Sequence, residues 1–341
     1  MRINPMQIYG KKCFVITGLL GCIASAMAQT YPNDVIYVAE EQKLRVSMVE
    51  SNGVIDPFAN GVGLIYGLAS DQNGGLYAAG TGDNTIRKVG SDGVVTSFVS
   101  LDSPSCMTLD TDGFLYVAND AYGLIYQVSP SGQITTYASG FAWPEGLVFG
   151  TDGNLYAANL GNGFVDQVAP DGGVTGFASG FGCPWGLARD NEGNLYVAES
   201  CGNTIGKISP TGAVSTFATG LSYPTGVAVD SAGYVYVCNI DDGSLRKISP
   251  EGLMVTYATG LDYPTDMTIQ RRNVAGSPPV AVPRVSNAFT FPVAIQSLIR
   301  SNYTGPVFIL LDCHVGRDRK NQPGWITFGK SRPATAFLCV G

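Results

Sequence analysis

The amino-acid sequence predicts an all-β protein, a closed six-bladed β-propeller, and three observations lead to that fold class. The composition favours turns and strands, with 44 glycines, 19 prolines and 17 tyrosines among 341 residues. A tyrosine recurs at a spacing of 39 or 40 residues, and a glycine series shares that spacing. Each repeat contains four short strand-like segments separated by turn sequences, as expected of a propeller blade.

Residues 1–28 precede the repeats and have the layout of a cleaved secretory signal. Basic residues come first, an apolar stretch follows, and Ala26-Met27-Ala28 offers a small-residue cleavage site. A second reading stays open, because Leu19-Leu20-Gly21-Cys22 resembles the lipobox of bacterial lipoproteins, in which Cys22 is lipidated. Both readings predict export, to the periplasm or the medium. The apolar stretch is too short to predict a transmembrane span.

The repeats occupy residues 29–270 and are defined by two independent series of residues. The tyrosines are Tyr37, Tyr77, Tyr116, Tyr156, Tyr196 and Tyr236. The glycines are Gly53, Gly93, Gly132, Gly172, Gly212 and Gly252. Both series contain a single shortened step, and the missing residue lies between Ser100 and Leu101. Two series that shift together indicate a true structural repeat.

The repeat around Tyr196 shows how each blade is built. Its four predicted strands are residues 186–189, 194–198, 204–209 and 214–218. The turn between the third and fourth strands is Pro210-Thr211-Gly212, in which proline suits an early turn position and glycine a positive φ. The second strand is apolar on both faces, which indicates a sheet that is covered on both sides.

The two ends of the repeat region predict how the ring closes. The region begins with a second strand, residues 35–38, and ends with a first strand, residues 266–269. These two strands therefore share a blade, and the last strand removes the free edge of the N-terminal sheet. Six complete blades follow from this pairing.

Charge divides the mature chain near Arg271. Residues 29–270 contain 8 Lys and Arg against 25 Asp and Glu, whereas residues 271–341 contain 9 against 2. An acidic body repels phosphate, so nucleic acid is not an expected partner, and cationic or neutral ligands suit it better. The basic extension 271–341 does not continue the repeat, and its structure is left open. We expect a monomer.

Three segments of the blade around Tyr196 carry a recognisable motif. They are Pro184-x-Gly186-Leu-Ala, Gly193-Asn194-Leu195-Tyr196-Val197-Ala198 and Asn203-Thr204-Ile205-x-Lys207-Ile208. This pattern resembles the NHL repeat over residues 35–270. The resemblance implies a TolB-like six-bladed propeller but not one function, because NHL propellers include protein-, ligand- and RNA-binding platforms. The family's second strand usually ends in Asp; here that position holds Glu40, Gly80, Asn119, Asn159, Glu199 and Asn239.

Two rings of residues are expected around one end of the central channel. One ring comes from the loops that lead into the first strands, and the other from the ends of the second strands. The candidate ligand-binding residues are Tyr66, Trp143, Glu145, Trp185, Tyr223 and Thr225. Their aromatic rings would provide a platform for a peptide, a protein or a sugar ring.

A resemblance to calcium propellers of the gluconolactonase type implies a metal site in the same place. Its candidate ligands are Glu145, Asn119, Asn159 and Glu199, whose oxygens suit Ca²⁺. If the chain were an enzyme, Glu145 and Glu199 would be its catalytic carboxylates. The alternative is that these Asn and Glu side chains cap strand ends and bond loop backbone.

Histidine is almost absent, because His314 is the single one in the chain and lies outside the repeats. Amidating lyases and streptogramin lyases are related propellers that resemblance associates with a zinc-binding or basic histidine. The repeats therefore lack the residue that both activities need.

Cysteines suggest two disulfides. Cys183 and Cys201 are expected on the same face of one blade, and Cys313 and Cys339 are a second candidate pair. Cys106 and Cys238 fall in distant blades and are expected to be buried free thiols.

The sequence as a whole favours an exported NHL-type propeller that binds a peptide, protein or glycan on its channel face without catalysis. The alternative is a calcium-dependent lactonase or esterase with its site at the channel mouth.

Overall fold

A computed structural model describes residues 3–8, 11–16, 34–71, 74–271, 307–312, 325–330 and 335–339. The chain divides into two compact units, one of residues 27–275 and one of residues 1–26 with 276–341. The secondary structure of the described residues is entirely β. Among these residues, no helix has the length and apolar character needed to cross a membrane.

The strands are numbered in chain order. They are β1 (Ile3–Ile8), β2 (Lys11–Ile16), β3 (Asp34–Glu40), β4 (Arg45–Val49), β5 (Ile55–Asn60), β6 (Ile65–Ser70), β7 (Leu76–Gly80), β8 (Thr85–Val89), β9 (Val95–Ser100), β10 (Pro104–Leu109), β11 (Leu115–Asn119), β12 (Leu124–Val128), β13 (Ile134–Ser139), β14 (Pro144–Phe149), β15 (Leu155–Asn159), β16 (Phe164–Val168), β17 (Val174–Ser179), β18 (Pro184–Arg189), β19 (Leu195–Glu199), β20 (Thr204–Ile208), β21 (Val214–Thr219), β22 (Pro224–Val229), β23 (Val235–Asn239), β24 (Ser244–Ile248), β25 (Met254–Thr259), β26 (Pro264–Arg271), β27 (Val307–Asp312), β28 (Trp325–Lys330) and β29 (Thr335–Cys339).

The smaller unit contains one antiparallel five-stranded sheet in the order β1-β2-β29-β28-β27. Residues 3–8 and 11–16, within the predicted secretory signal, and strands of the basic extension therefore belong to the same sheet. The proposed signal at residues 1–28 and its cleavage remain predictions.

The larger unit is the predicted six-bladed propeller. Five blades are consecutive antiparallel sheets of four strands, and the sixth has the order β26-β3-β4-β5. The last strand β26 pairs antiparallel with β3 from Pro264 opposite Glu40 to Arg271 opposite Asp34. The innermost strands of successive blades contact one another around the channel, and β26 contacts β6 to complete the circle. The closure expected from the sequence is thereby confirmed.

Apolar second strands hold neighbouring blades together. Val117 and Ala118 in β11 are fully buried, as are Val197 and Ala198 in β19. One side chain of each pair packs in the core shared with one adjacent blade, and the other packs in the next core. Burial on both faces explains why these strands are continuously apolar rather than alternating.

Glycine in the innermost strands lets the blades approach closely at the axis. A Cβ added to Gly226 in β22 would lie 2.6 Å from the Cα of Asp266 and 2.9 Å from the backbone nitrogen of Met267. Both neighbours are backbone atoms of the closing strand, so neither yields easily.

We therefore expect Gly226→Ala to lower the free energy of unfolding by about 2 to 3 kcal/mol through overpacking. Urea unfolding monitored by circular dichroism measures this change. The matched control is Gly176→Ala in β17, because the nearest neighbour of its added Cβ would be Asp166 Oδ1 at 3.9 Å. Equal stability of the two variants would contradict close blade packing at Gly226.

Candidate functional site

A β-bulge at the start of each innermost strand positions the first ring of candidate residues. In the blade of β14 and β15, Pro144 pairs with Asn159 and Gly146 pairs with Ala158, which leaves Glu145 as the extra residue. The register shifts at the same position in β6, β10, β18, β22 and β26. A bulge redirects the side chain that it carries, and here it does so at the channel. We call the face where these bulges lie the mouth face.

Three of the six bulge residues join neighbouring blades. The hydroxyls of Ser105, Thr225 and Thr265 are buried and donate hydrogen bonds of 2.9 to 3.1 Å to carbonyl oxygens of the next innermost strand. Thr225 was a candidate ligand contact, but it is fully buried and its hydroxyl bonds the carbonyl of Pro264. Its role in this structure is blade packing, which the sequence did not distinguish from binding.

Glu145 is a buried carboxyl that faces the channel. Its side chain is only 8% exposed and lines a channel cavity of about 440 Å³. No described residue forms a hydrogen bond or ion pair with it. Burial, with a smaller contribution from the charge of Asp120, raises its pKa to about 8.

Asp266 is a second acid in the wall of the channel cavity. It occupies the position that is glycine in four of the other innermost strands. Its Oδ2 accepts a hydrogen bond of 2.8 Å from the backbone N–H of Leu68 in β6, and its Oδ1 accepts one from Met267. Burial raises its pKa to about 7 despite these two bonds. The carboxyl thus links the closing strand to the next blade.

Cys106 also lines the channel cavity, and Cys238 lies in β23. Both are free and buried, as expected. Burial raises the pKa of each thiol well above its usual value, so neither is an activated nucleophile.

The second ring consists of strand-end side chains that bond loop backbone. Asn159 accepts a hydrogen bond of 3.2 Å from the N–H of Ala142 and donates one to Asp166. Asn119 accepts a bond of 2.8 Å from the N–H of Tyr122. These bonds match the capping alternative.

Glu199 is committed in the same way as the asparagines. One carboxylate oxygen accepts a bond of 3.1 Å from the N–H of Gly182, and the other accepts one from the Thr204 hydroxyl. Of the four candidate calcium ligands, only Glu145 therefore lacks such a partner. In the described part of the chain, no group of three or more His, Cys, Asp or Glu is arranged to hold a metal ion. The donor set does not fit the calcium site that the sequence suggested, because the strand-end oxygens serve as caps.

Aromatic side chains surround the mouth. Trp143 and Tyr263 are 61% and 39% exposed, while Tyr66, Trp185 and Tyr223 are half-buried. The rings of Trp185 and Tyr223 meet edge to face, with centroids 6.3 Å apart.

The backbone at three of these aromatic positions is strained. Trp143, Tyr223 and Tyr263 each directly precede an innermost strand and have φ values of 53°, 52° and 54°. Side chains other than glycine rarely adopt this left-handed conformation, which costs of order 1 kcal/mol per residue. Ser103 and Cys183, which precede β10 and β18, have the same left-handed conformation, so the strain belongs to the repeated loop rather than to the aromatic side chains.

A disulfide joins Cys183 and Cys201 on the mouth face, with Cα atoms 5.4 Å apart. It links the loop before β18 to the loop after β19, within one blade. Cys313 lies outside the described residues, so its pairing with Cys339 remains a prediction, as does lipidation of Cys22.

Replacing both Cys183 and Cys201 with serine is expected to lower the free energy of unfolding by about 3 kcal/mol, because the bond closes a loop of 18 residues. Thermal melts with and without dithiothreitol provide the measurement. The reductant should lower the Tm of the native protein and leave that of the double variant unchanged. A native Tm that is insensitive to complete reduction would be the contrary result.

These features define a closed six-bladed propeller with an acidic and aromatic channel mouth. The chain belongs to the virginiamycin B lyase family, whose sequence profile matches residues 19–248. No curated protein matches the chain.

Solved structures of low sequence identity share the fold. Virginiamycin B lyase from Staphylococcus aureus is 18% identical with a TM-score of 0.51, and the match covers 59% of this chain and 73% of that one. A chain in a nidogen/laminin complex is 19% identical with a TM-score of 0.63, covering 69% and 98%. A gluconolactonase from Xanthomonas campestris is 15% identical with a TM-score of 0.55, covering 70% and 92%.

Proposed function

We propose that this protein is an exported, non-catalytic member of its family that binds a peptide, protein or glycan at the channel mouth. The observation that carries the proposal is that the side chains of the mouth face fall into two groups, one bonded within the fold and one available to a ligand. Most polar side chains there are committed to blade contacts and strand caps, whereas Glu145 and the aromatic rings of Trp143, Trp185 and Tyr223 remain available for contact.

The missing histidine supports a role without lyase chemistry. The Staphylococcus aureus lyase was solved with quinupristin as a catalytically inactive variant in which alanine replaces a histidine. Residues 29–270 of the present chain contain no histidine at all. A nidogen/laminin complex contains a similar propeller, so this architecture also occurs in a protein–protein complex.

Arrays of peptides and glycans, followed by titration of the hits, test the proposal. Trp185→Ala should weaken binding at least tenfold, because truncating an aromatic anchor commonly costs more than about 1 kcal/mol. The matched control is Leu253→Ala, which removes a 54% exposed apolar side chain from the opposite end of a blade. Equal losses in both variants, or no hit on any array, would contradict the platform.

The effect of Ca²⁺ on the Tm distinguishes the platform from the alternative function, a calcium-dependent lactonase. We expect the Tm in excess Ca²⁺ to equal the Tm in EDTA, because Asn119, Asn159 and Glu199 bond other groups. Binding only to the folded state would instead raise stability by RT ln(1 + [L]/Kd). A rise of several degrees that disappears in Glu145→Gln, together with lactone turnover, would replace the platform with the enzyme.

A further inference from the structure

Basic side chains on the mouth face are already neutralised by neighbours. Lys43 and Arg45 form ion pairs of 2.9 and 2.8 Å with Glu40. Two further arginines, Arg87 and Arg246, pair with aspartates four residues earlier in the chain. These pairs bring little net positive charge to the mouth.

Three acids near the centre of the mouth face lack such partners among the described residues. They are Glu41, Asp120 and Glu145. The Oε2 atom of Glu41 is buried without a hydrogen bond, and Glu145 is more than nine-tenths buried at the wall of the channel cavity. Burying a carboxylate without a partner is costly, so this arrangement favours an external cation.

Aromatic rings lie within electrostatic reach of these acids. The charges of Glu41, Glu145 and Asp120 all contribute to raising the pKa of Tyr66, after the larger effect of burial. Trp185 occupies the bulge next to that of Glu145 around the ring, and its indole meets Tyr223. Aromatic faces beside carboxylates attract ammonium and guanidinium groups.

We propose that the mouth binds a peptide through one lysine or arginine side chain, which extends past the aromatic rings to the carboxylate of Glu145. The inference rests on the proposed platform function and specifies its ligand. The nearly buried position of the Glu145 carboxylate favours a long cationic side chain as ligand. The apolar stem of such a side chain can contact Tyr66 and Trp185 while its charged end reaches the carboxylate.

Binding of a cationic side chain is expected to release the proton of Glu145. A purely structural role of Glu145 would not produce this release. Asp120, Tyr66 and Cys106 are the titratable groups near it, and Asp266 lines the same cavity. Arg189 also lines this cavity, at the end of β18 that is farthest from the mouth. A bound cation stabilises the ionised carboxylate, so peptide affinity should rise between pH 6 and pH 9 as the proton is lost.

Titration calorimetry with three acetylated pentapeptide amides tests the inference, the central residue being lysine, norleucine or glutamate in an otherwise identical alanine–tyrosine background. The lysine peptide should bind at least tenfold more tightly than the norleucine peptide. Glu145→Gln should reduce that ratio to below threefold and remove the pH dependence. Glu251→Gln, an exposed carboxylate on the opposite face, should leave both unchanged.

The outcomes separate this inference from the platform itself. Equal binding of the three peptides would overturn the cationic ligand and leave the platform in place. If neither the three peptides nor any array ligand binds, both the cationic-ligand inference and the platform function are wrong. Preference for a chitosan oligosaccharide over the lysine peptide would overturn the peptide assignment. Retention of the lysine preference in Glu145→Gln would overturn the role of this carboxylate.

Discussion

Deleting residues 264–271 is expected to turn a soluble, cooperatively folding propeller into an aggregating chain. These residues form β26, which supplies the innermost strand of the N-terminal blade. Their removal exposes the backbone edge of β3. It also uncovers apolar side chains such as Val38 and Tyr236, which share a core with Met267 of the deleted strand. An unpaired, apolar strand edge is a template for association with other chains.

Size-exclusion chromatography and thermal melting measure this effect. The deletion should elute largely as aggregate and lose its cooperative transition. A rescue variant provides the control: residues 264–271 are moved to precede residue 34 through a short Gly-Ser turn. Because Arg271 already lies opposite Asp34 in an antiparallel pair, this connection forms a β-hairpin. A deletion that stays monomeric and melts cooperatively would refute the importance of closure.

The blade architecture could be predicted because the same pattern occurs in six repeats. Each blade has the same buried second strand and the same turn glycine, so a departure from the pattern in one repeat does not hide it. The closure followed from strand order alone, because the repeat region starts on a second strand and ends on a first strand, and these two together complete one blade.

The roles of the strand-end side chains could not be predicted in the same way. Asn159 and Glu199 carry oxygens that suit either a metal or a backbone amide. The choice depends on whether the N–H groups of Ala142 and Gly182 lie within reach, and only the folded loop determines that.

Asp266 is a channel residue that the repeat pattern itself marks. Aligned repeats place it, with Cys106, at a position that is otherwise glycine. Where a larger side chain replaces this glycine, the channel must have room for it, and both Cys106 and Asp266 line the cavity. Departures from a repeat thus mark candidate functional positions more directly than the residues that conform to it.

Stability should fall as the pH rises from about 5 to about 8, and this is the largest solution effect expected from the channel. Glu145 has a pKa of about 8 and Asp266 a pKa of about 7 in the folded protein, against 4.5 and 3.8 for the ordinary side chains. The folded state therefore holds protons that the unfolded chain has released, and it loses this advantage as they dissociate. Asp83, whose pKa Arg87 lowers, has the opposite effect but titrates below this range.

Urea unfolding at pH 5, 6.5 and 8 measures the loss. Each carboxyl contributes about 2 to 3 kcal/mol, less than its full shift implies, because the effective dielectric constant around such groups in proteins is high enough to screen the charge partly. Glu145→Gln keeps the shape but cannot ionise, so it should remove about half of the slope, and adding Asp266→Asn should remove most of the remainder. Glu251→Gln should keep the native slope, since this carboxylate is exposed. A native stability that is flat or rises over this range would mean that both channel carboxyls are ionised in the folded protein, and a cationic group would then already be paired with them.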